Sequence, residues 1–240
     1  MTADLDSIVD EVVFRPPTLP ERFEQVVLPV DKPEGWTSFD VIRKLRRLLD
    51  VRKMGHAGTL DPMATGLLVI LIGRATKLME RFMNLPKIYE GTLRLGETTP
   101  SYDADSEVVE RRDASHLTAS DLEAARVEFL GTIEQRPPAF SAVKVRGERL
   151  YRKARRGERV EAPPRHVTVE TFDLIGRTGT DVSFRVRCSK GTYVRSLAHD
   201  FGQRLGVGAH LVRLRRTAIG PITVDDAWTI EQLEASERRA

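Results

Sequence analysis

A single cysteine, Cys188, leaves this 240-residue chain without an intramolecular disulfide or a cysteine-based zinc centre. It ends a strand-like run, Val182 to Cys188, where a thiol packs as a small hydrophobe, and a reducing, cytoplasmic address fits that usage. Long apolar runs are also lacking: the longest, Leu67 to Gly73, falls far short of the ~20 residues that cross a bilayer, so no membrane association is expected. Met1 to Glu11 is acidic, with neither the basic-then-apolar order of a secretory signal nor the arginine-rich character of a transit peptide. Cofactor signatures are missing as well. No Gly-Lys-Ser/Thr closes a phosphate loop, no Gly-x-Gly-x-x-Gly follows a strand, no His-Glu-x-x-His occurs, and the five histidines are scattered. Nucleotide triphosphate, nicotinamide, flavin and metal chemistry therefore have no support, and no cofactor and no metal are expected. There is no Gly-x-Ser-x-Gly elbow.

What is present describes an ordinary globular chain, 40% hydrophobic and 30% charged, long enough for one large domain or two small ones. The net charge of +3 hides strong blocks. Residues 1–25 carry six carboxylates against two arginines, and residues 97–128 nine against three. Residues 136–165 reverse the sign, ten Lys/Arg against three Glu, as do residues 185–216, eight against Asp200 alone. Such blocks matter more than their average, because they can occupy different faces.

Strand patterns run over Val26–Val30, Leu67–Ile72, Ile88–Leu95, Val167–Ile175, Asp181–Cys188 and Leu211–Ile219. Helical spacing runs over about 38–49, 75–85, 192–205 and 229–236, and again from Thr118. Thr37 with Asp40, and Thr118 with Asp121, have the spacing of capping boxes. The regular alternation of a doubly wound sheet is missing and several strands are joined by short turns, which favours an α+β fold with a mixed, mainly antiparallel central sheet and flanking helices.

The segment Gly55–Leu67 is a glycine-punctuated loop running into a buried strand. Within it, Pro62 biases Asp61 toward extended backbone, and Gly55, Gly58 and Gly66 leave room for something to approach. On residues alone, Asp61 is either an exposed catalytic carboxylate or, more commonly for Asp-Pro, a turn residue.

The stretch Gly55-His56-Ala57-Gly58-Thr59-Leu60-Asp61-Pro62-Met63-Ala64-Thr65-Gly66-Leu67 closely resembles the motif of the TruB family of pseudouridine synthases. Four further blocks follow the family's order: Asp31 to Ser38, Lys87-Ile88-Tyr89, Ser189 to Leu197, and Gly208 to Arg216. The resemblance spans roughly residues 26–233 and implies the pseudouridine synthase fold. It also implies an isomerase that breaks the uracil N1–ribose C1′ bond, turns the base and rejoins it through C5. Asp61 then matches the catalytic aspartate and Arg195 the active-site arginine, with an ion pair between them expected. Tyr89 matches the stacking platform for a flipped base, Tyr193 a wall of the pocket, Leu214 an apolar contact, and His56 a residue near the base. Lys32 either braces the loop or contacts RNA.

The same resemblance implies a domain plan: a loose acidic leader over 1–25 and one catalytic domain over 26–240. A basic, thumb-like insertion over about 136–165 closes on RNA, and no C-terminal PUA domain is expected. The implied partner is the T-arm stem-loop of tRNA, with uridine 55 as target, no guide RNA, and a monomeric enzyme. Two rivals stand beside it. One is a guide-dependent ribonucleoprotein subunit, against which the long 135–164 stretch argues; the other is a non-catalytic RNA-binding protein on the same scaffold.

Overall fold

The computed structural model describes residues 13–237 apart from 18, 142, 146, 151–155, 157 and 159–161. In chain order the first elements are β1 (Gln25–Lys32), α1 (Ser38–Leu48), β2 (Met54–His56), β3 (Thr65–Gly73), α2 (Met79–Asn84) and β4 (Lys87–Leu95). Next come β5 (Glu97–Thr98), β6 (Glu110–Arg111), α3 (Ala119–Val127), β7 (Gly131–Gln135), β8 (Lys144–Val145) and β9 (Glu148–Arg149). The chain continues with β10 (Arg165–Thr178), β11 (Asp181–Cys188), α4 (Val194–Arg204), β12 (Ala209–Ile219), β13 (Ile222–Thr223) and α5 (Ile230–Glu237). It divides into two compact units, one comprising Met1–Tyr89 with Arg215–Ala240, the other Glu90–Leu214.

The first unit is organised by β1 and β3, antiparallel over eight rungs from Gln25↔Gly73 to Lys32↔Gly66. Both strands are apolar at successive positions because both of their faces are covered. Leu68, Ile70 and Ile72 pack with Val26, Leu28 and Val30 against Val41, Ile42 and Leu45 of α1 and Trp228 and Leu233. The alternate residues Leu67, Val69 and Leu71 pack with Val27 against Ala75, Phe82, Ile219 and Ile222. Period-two alternation thus feeds two cores from one strand, which is why Leu67–Ile72 reads as an unbroken hydrophobic run. Helix α1 begins at the predicted capping box, with Thr37 Oγ1 accepting from the Asp40 amide at 3.1 Å and Asp40 Oδ2 from the Thr37 amide at 3.0 Å. Val13 and Phe14, inside the stretch read as a leader, are bonded to this unit: the Phe14 amide donates to Val27 and its carbonyl accepts from Trp228 Nε1, both at 2.9 Å. The leader's first twelve residues lie outside the described ones.

In the second unit β10 pairs antiparallel with β11 across the Gly179 turn and with β7 on its other side. Helix α4 packs on this sheet through aromatic edges, Phe201 lying 5.6 Å from Phe172, which lies 5.7 Å from Phe184. Cys188 is fully buried, as its strand position predicts. β7 and β10 meet at the rung Gln135↔Arg165, so the basic segment leaves and re-enters the sheet at one place. Within that segment β8 and β9 form a small hairpin. Arg156 holds Glu148 through two bonds of 2.7 and 3.0 Å and Glu158 through one of 2.7 Å; residues 142, 146, 151–155, 157 and 159–161 of the segment lie outside the described ones.

The fold is α+β with a mixed sheet, as expected. β3 and β12 are joined in parallel, at Thr65↔Arg215 and Gly66↔Arg216. Sequence patterning read Gly55 and His56 as loop, yet with Met54 they form β2, because Met54, Gly55 and His56 pair with Ile72, Leu71 and Ile70. Among the described residues no helix is long and apolar enough to cross a membrane.

Gly66 is the tightest point of the parallel junction: its φ is +100°, and a Cβ there would lie 2.3 Å from the Arg216 carbonyl oxygen, a backbone atom that cannot swing away. Gly66→Ala is expected to cost at least about 3 kcal/mol of stability, read by urea unfolding.

Candidate active site

The Asp61 loop spans the gap between β2 and β3 and is tied down residue by residue. Ser38, at the start of α1, uses one hydroxyl twice, accepting from the Leu60 amide at 2.9 Å and donating to the Leu60 carbonyl at 3.2 Å. The Gly35 amide donates to the Pro62 carbonyl at 2.9 Å, and the Ala64 amide to the Asp61 carbonyl at 3.1 Å. Leu60 and Met63 are buried, while Asp61 between them is half-buried. The loop therefore behaves as a rigid mount with one carboxylate left toward its surface.

Lys32 completes the mount. Its side chain is fully buried, and its ammonium donates to the carbonyls of Trp36 at 2.6 Å, Pro33 at 2.8 Å and Pro62 at 3.3 Å, which matches the three donors of the group. These bonds join the end of β1 to the Asp61 loop. Burial pushes Lys32 down from the ordinary 10.5 to about 8, opposed chiefly by the negative charge of Asp61. Lysine and aspartate charges thus stabilise each other across the loop.

A second buried cation lies in the same unit. Arg216, 1% exposed, donates from Nε to the Leu67 carbonyl at 2.7 Å and from Nη2 to the Gly58 carbonyl at 3.0 Å, and its guanidinium carbon lies 6.0 Å from the Tyr89 ring centroid. Burial and the positive charge of Arg216 hold His56 below its ordinary range, so its imidazole is neutral at pH 7. Next to it, Arg215 pairs with Asp31 at 2.6 Å. The first unit accordingly brings Lys32, His56 and the Asp61 loop together with Tyr89, around an arginine that sequence reasoning did not single out. Only the parallel register of β3 and β12 places Arg216 there, and that register has no local sequence signal.

The second unit holds the other three predicted residues. Tyr193 precedes α4 and is clasped by the Gln135 amide group, which accepts from the Tyr193 N–H at 2.7 Å and donates to its carbonyl at 3.1 Å. The Arg165 guanidinium lies 5.4 Å from the Tyr193 ring centroid. Leu214 is buried in β12. Arg195 is not the surface arginine that a first helical turn suggests: its side chain is 4% exposed and ion-pairs with Asp103 at 3.2 Å. It also donates to the carbonyls of Ser101 at 3.1 Å and Phe140 at 3.0 Å. Asp103 in turn accepts from Ser101 Oγ at 2.5 Å and from the Asp105 amide at 3.1 Å. Asp103 was legible only as one charge in an acidic stretch.

Comparisons with known proteins agree along the whole of this region. The pattern of the TruB family pseudouridylate synthase N-terminal domain matches residues 46–194, and that of the tRNA pseudouridylate synthase B C-terminal domain matches residues 195–239. The tRNA pseudouridine synthase B of Thermobifida fusca is 51% identical over 217 residues, covering 87% of this chain and 74% of its own. That of Opitutus terrae is 50% identical over 209 residues, covering 87% of both chains. Among solved structures, a Cbf5-Nop10-Gar1 complex matches with a TM-score of 0.68 at 32% identity over 91% of this chain. An H/ACA RNP bound to a substrate RNA containing 2′-deoxyuridine matches with a TM-score of 0.65 at 29% identity over 87%. This chain spans 56% and 51% of those two chains.

Two outcomes follow from the buried charges. Between about pH 8 and 10.5 the unfolded chain keeps a proton that folded Lys32 has released, so this group's contribution to stability rises with pH across that window. Comparing unfolding free energies at about pH 7.5 and 9.5, the wild type should gain relative to Lys32→Met. Asp103→Ala strands a buried guanidinium and is expected to destabilise by about 3 kcal/mol in urea unfolding.

Proposed function

Because this chain belongs to the TruB family of pseudouridine synthases, we propose that it isomerises uridine to pseudouridine at position 55 of the tRNA T-loop, acting alone and through Asp61. The observation that carries the reading is the Asp61 mount: a partly exposed carboxylate on a loop fixed by Ser38, Gly35 and the buried ammonium of Lys32. The reaction breaks N1–C1′ and forms C5–C1′; C5 gives up a proton and N1 takes one, so no electron acceptor or transferred group is required.

A uracil inside a folded loop must leave its stack to meet this carboxylate, and a flipped base is held by stacking and by hydrogen bonds to its edge. Tyr89 supplies the ring, with Arg216 beside it fixing the ring's place, and the neutral imidazole of His56 supplies a polar edge. Tyr193 and Leu214 supply pocket walls, and Arg195 the guanidinium of the reaction. The basic segment 136–165, net +7, supplies phosphate contacts and makes binding salt-dependent. The proposed partner is tRNA through its T-arm, the proposed state a monomer, and the proposed place the cytoplasm, where tRNA is matured.

The H/ACA likeness, at about 30% identity, bears on the guide-dependent alternative; the relatives near 50% identity, named for tRNA, favour the stand-alone reading. Purified wild-type protein is expected to form pseudouridine in tRNA and in a bare T-arm stem-loop without added RNA or protein. Asp61→Asn should abolish product while RNA affinity stays within about threefold. Absence of product from wild-type protein on the bare stem-loop would overturn the stand-alone reading, and its absence from every tRNA the isomerase reading itself.

A further inference from the structure

Arg195 and His199 stand one turn apart on α4 and so share a face. Between them they grip three consecutive residues, Ser101 to Asp103. Arg195 Nη1 reaches the Ser101 carbonyl at 3.1 Å and the Asp103 carboxylate at 3.2 Å, while the His199 ring lies flat on Tyr102, centroids 3.7 Å apart and planes 13° from parallel. Tyr102, between the two anchor residues, has φ +64°, a left-handed conformation that an aromatic residue adopts only when its surroundings impose it. That conformation lets Ser101 O and Asp103 Oδ2 reach one guanidinium nitrogen. Backbone bonds hold the turn at its ends, from the Tyr102 amide to Thr99 at 3.2 Å and from the Leu211 amide to the Tyr102 carbonyl at 2.9 Å. His199 Nδ1 is buried and makes no hydrogen bond among the described residues. Its contact with the turn is the stack.

We infer that Tyr102 and His199 are positioning residues, whose stack holds Tyr102 in its left-handed conformation and thereby sets the Asp103 carboxylate and Ser101 carbonyl that aim Arg195. The inference rests on the assignment of Arg195 to the active site. A right-handed Tyr102 would turn Asp103 away and leave the buried guanidinium to a looser set of acceptors, displacing a group whose effect depends on placement. Misplacement of that order costs rate more than binding.

The test is steady-state pseudouridine formation on a T-arm stem-loop by His199→Ala, Tyr102→Ala, their double variant, Tyr102→Gly, His199→Phe and Arg195→Ala. Each of the first two should lower kcat about tenfold with KM within about twofold, and the double variant should be no slower than either. His199→Phe keeps a ring on Tyr102 and should recover kcat to within about threefold of wild type. Glycine adopts the left-handed backbone without a stack, so Tyr102→Gly should be faster than Tyr102→Ala, and this pair decides the matter if His199→Ala does not fold. Wild-type kcat in Tyr102→Ala, a Tyr102→Gly variant no faster than Tyr102→Ala, multiplying losses in the double variant, or a His199→Phe variant as slow as His199→Ala overturns the inference. If Arg195→Ala keeps full activity, the active-site assignment falls instead; if it is inactive while Tyr102→Ala runs at the wild-type rate, the positioning role alone falls.

Discussion

The parallel junction between β3 and β12 is the constraint on which the first unit's chemistry depends. Two rungs, Thr65↔Arg215 and Gly66↔Arg216, force an arginine side chain into the interior, where it can exist only by finding acceptors. The acceptors it finds are the carbonyls of Leu67 and Gly58, at the far end and near the start of the loop that carries Asp61. A strand register has thereby become a clamp on the loop that carries Asp61, and the same guanidinium reaches the Tyr89 ring.

Lys32 and Arg216 make a second theme, since the positive charge of Arg216 opposes the charged state of Lys32. Both donate to backbone carbonyls, so each keeps its positive field. The field of Lys32 is coupled to Asp61, whose negative charge favours the charged lysine. Arg195 follows the opposite plan: its charge is matched by Asp103, and its geometry by two carbonyls. One unit stores field and the other fixes direction.

Much of this was readable from the sequence. The capping boxes at Thr37 and Thr118, the buried run of β3 and the burial of Cys188 follow from local chemistry, and the glycine-punctuated loop marks its own place. What escaped were the features set by distant pairing. β2 has only three residues and no pattern, and exists because β3 offers it an edge. Arg216 was one arginine in a basic run, and Asp103 one carboxylate in an acidic stretch; their burial depends on partners 149 to 158 residues away for Arg216 and on α4 for Asp103. Ser38 likewise takes its role from Leu60, 22 residues on. Family resemblance singled out candidate site positions but not Ser38, Arg216 or Asp103, which hold their surroundings in place.

The rung Gln135↔Arg165 carries an evolutionary freedom. Everything between these two residues begins and ends at adjacent points of one ladder, so its loop is already closed by the sheet. The entropic cost of lengthening such a loop grows only logarithmically, about 0.6 kcal/mol per doubling. Both ends are anchored to Tyr193, Gln135 by clasping its backbone and Arg165 by lying over its ring. Near its start the segment also carries the Arg136 and Phe140 carbonyls that accept from Ser196 and Arg195. Length can therefore be added beyond those residues at little cost to stability, while Tyr193 stays where it is.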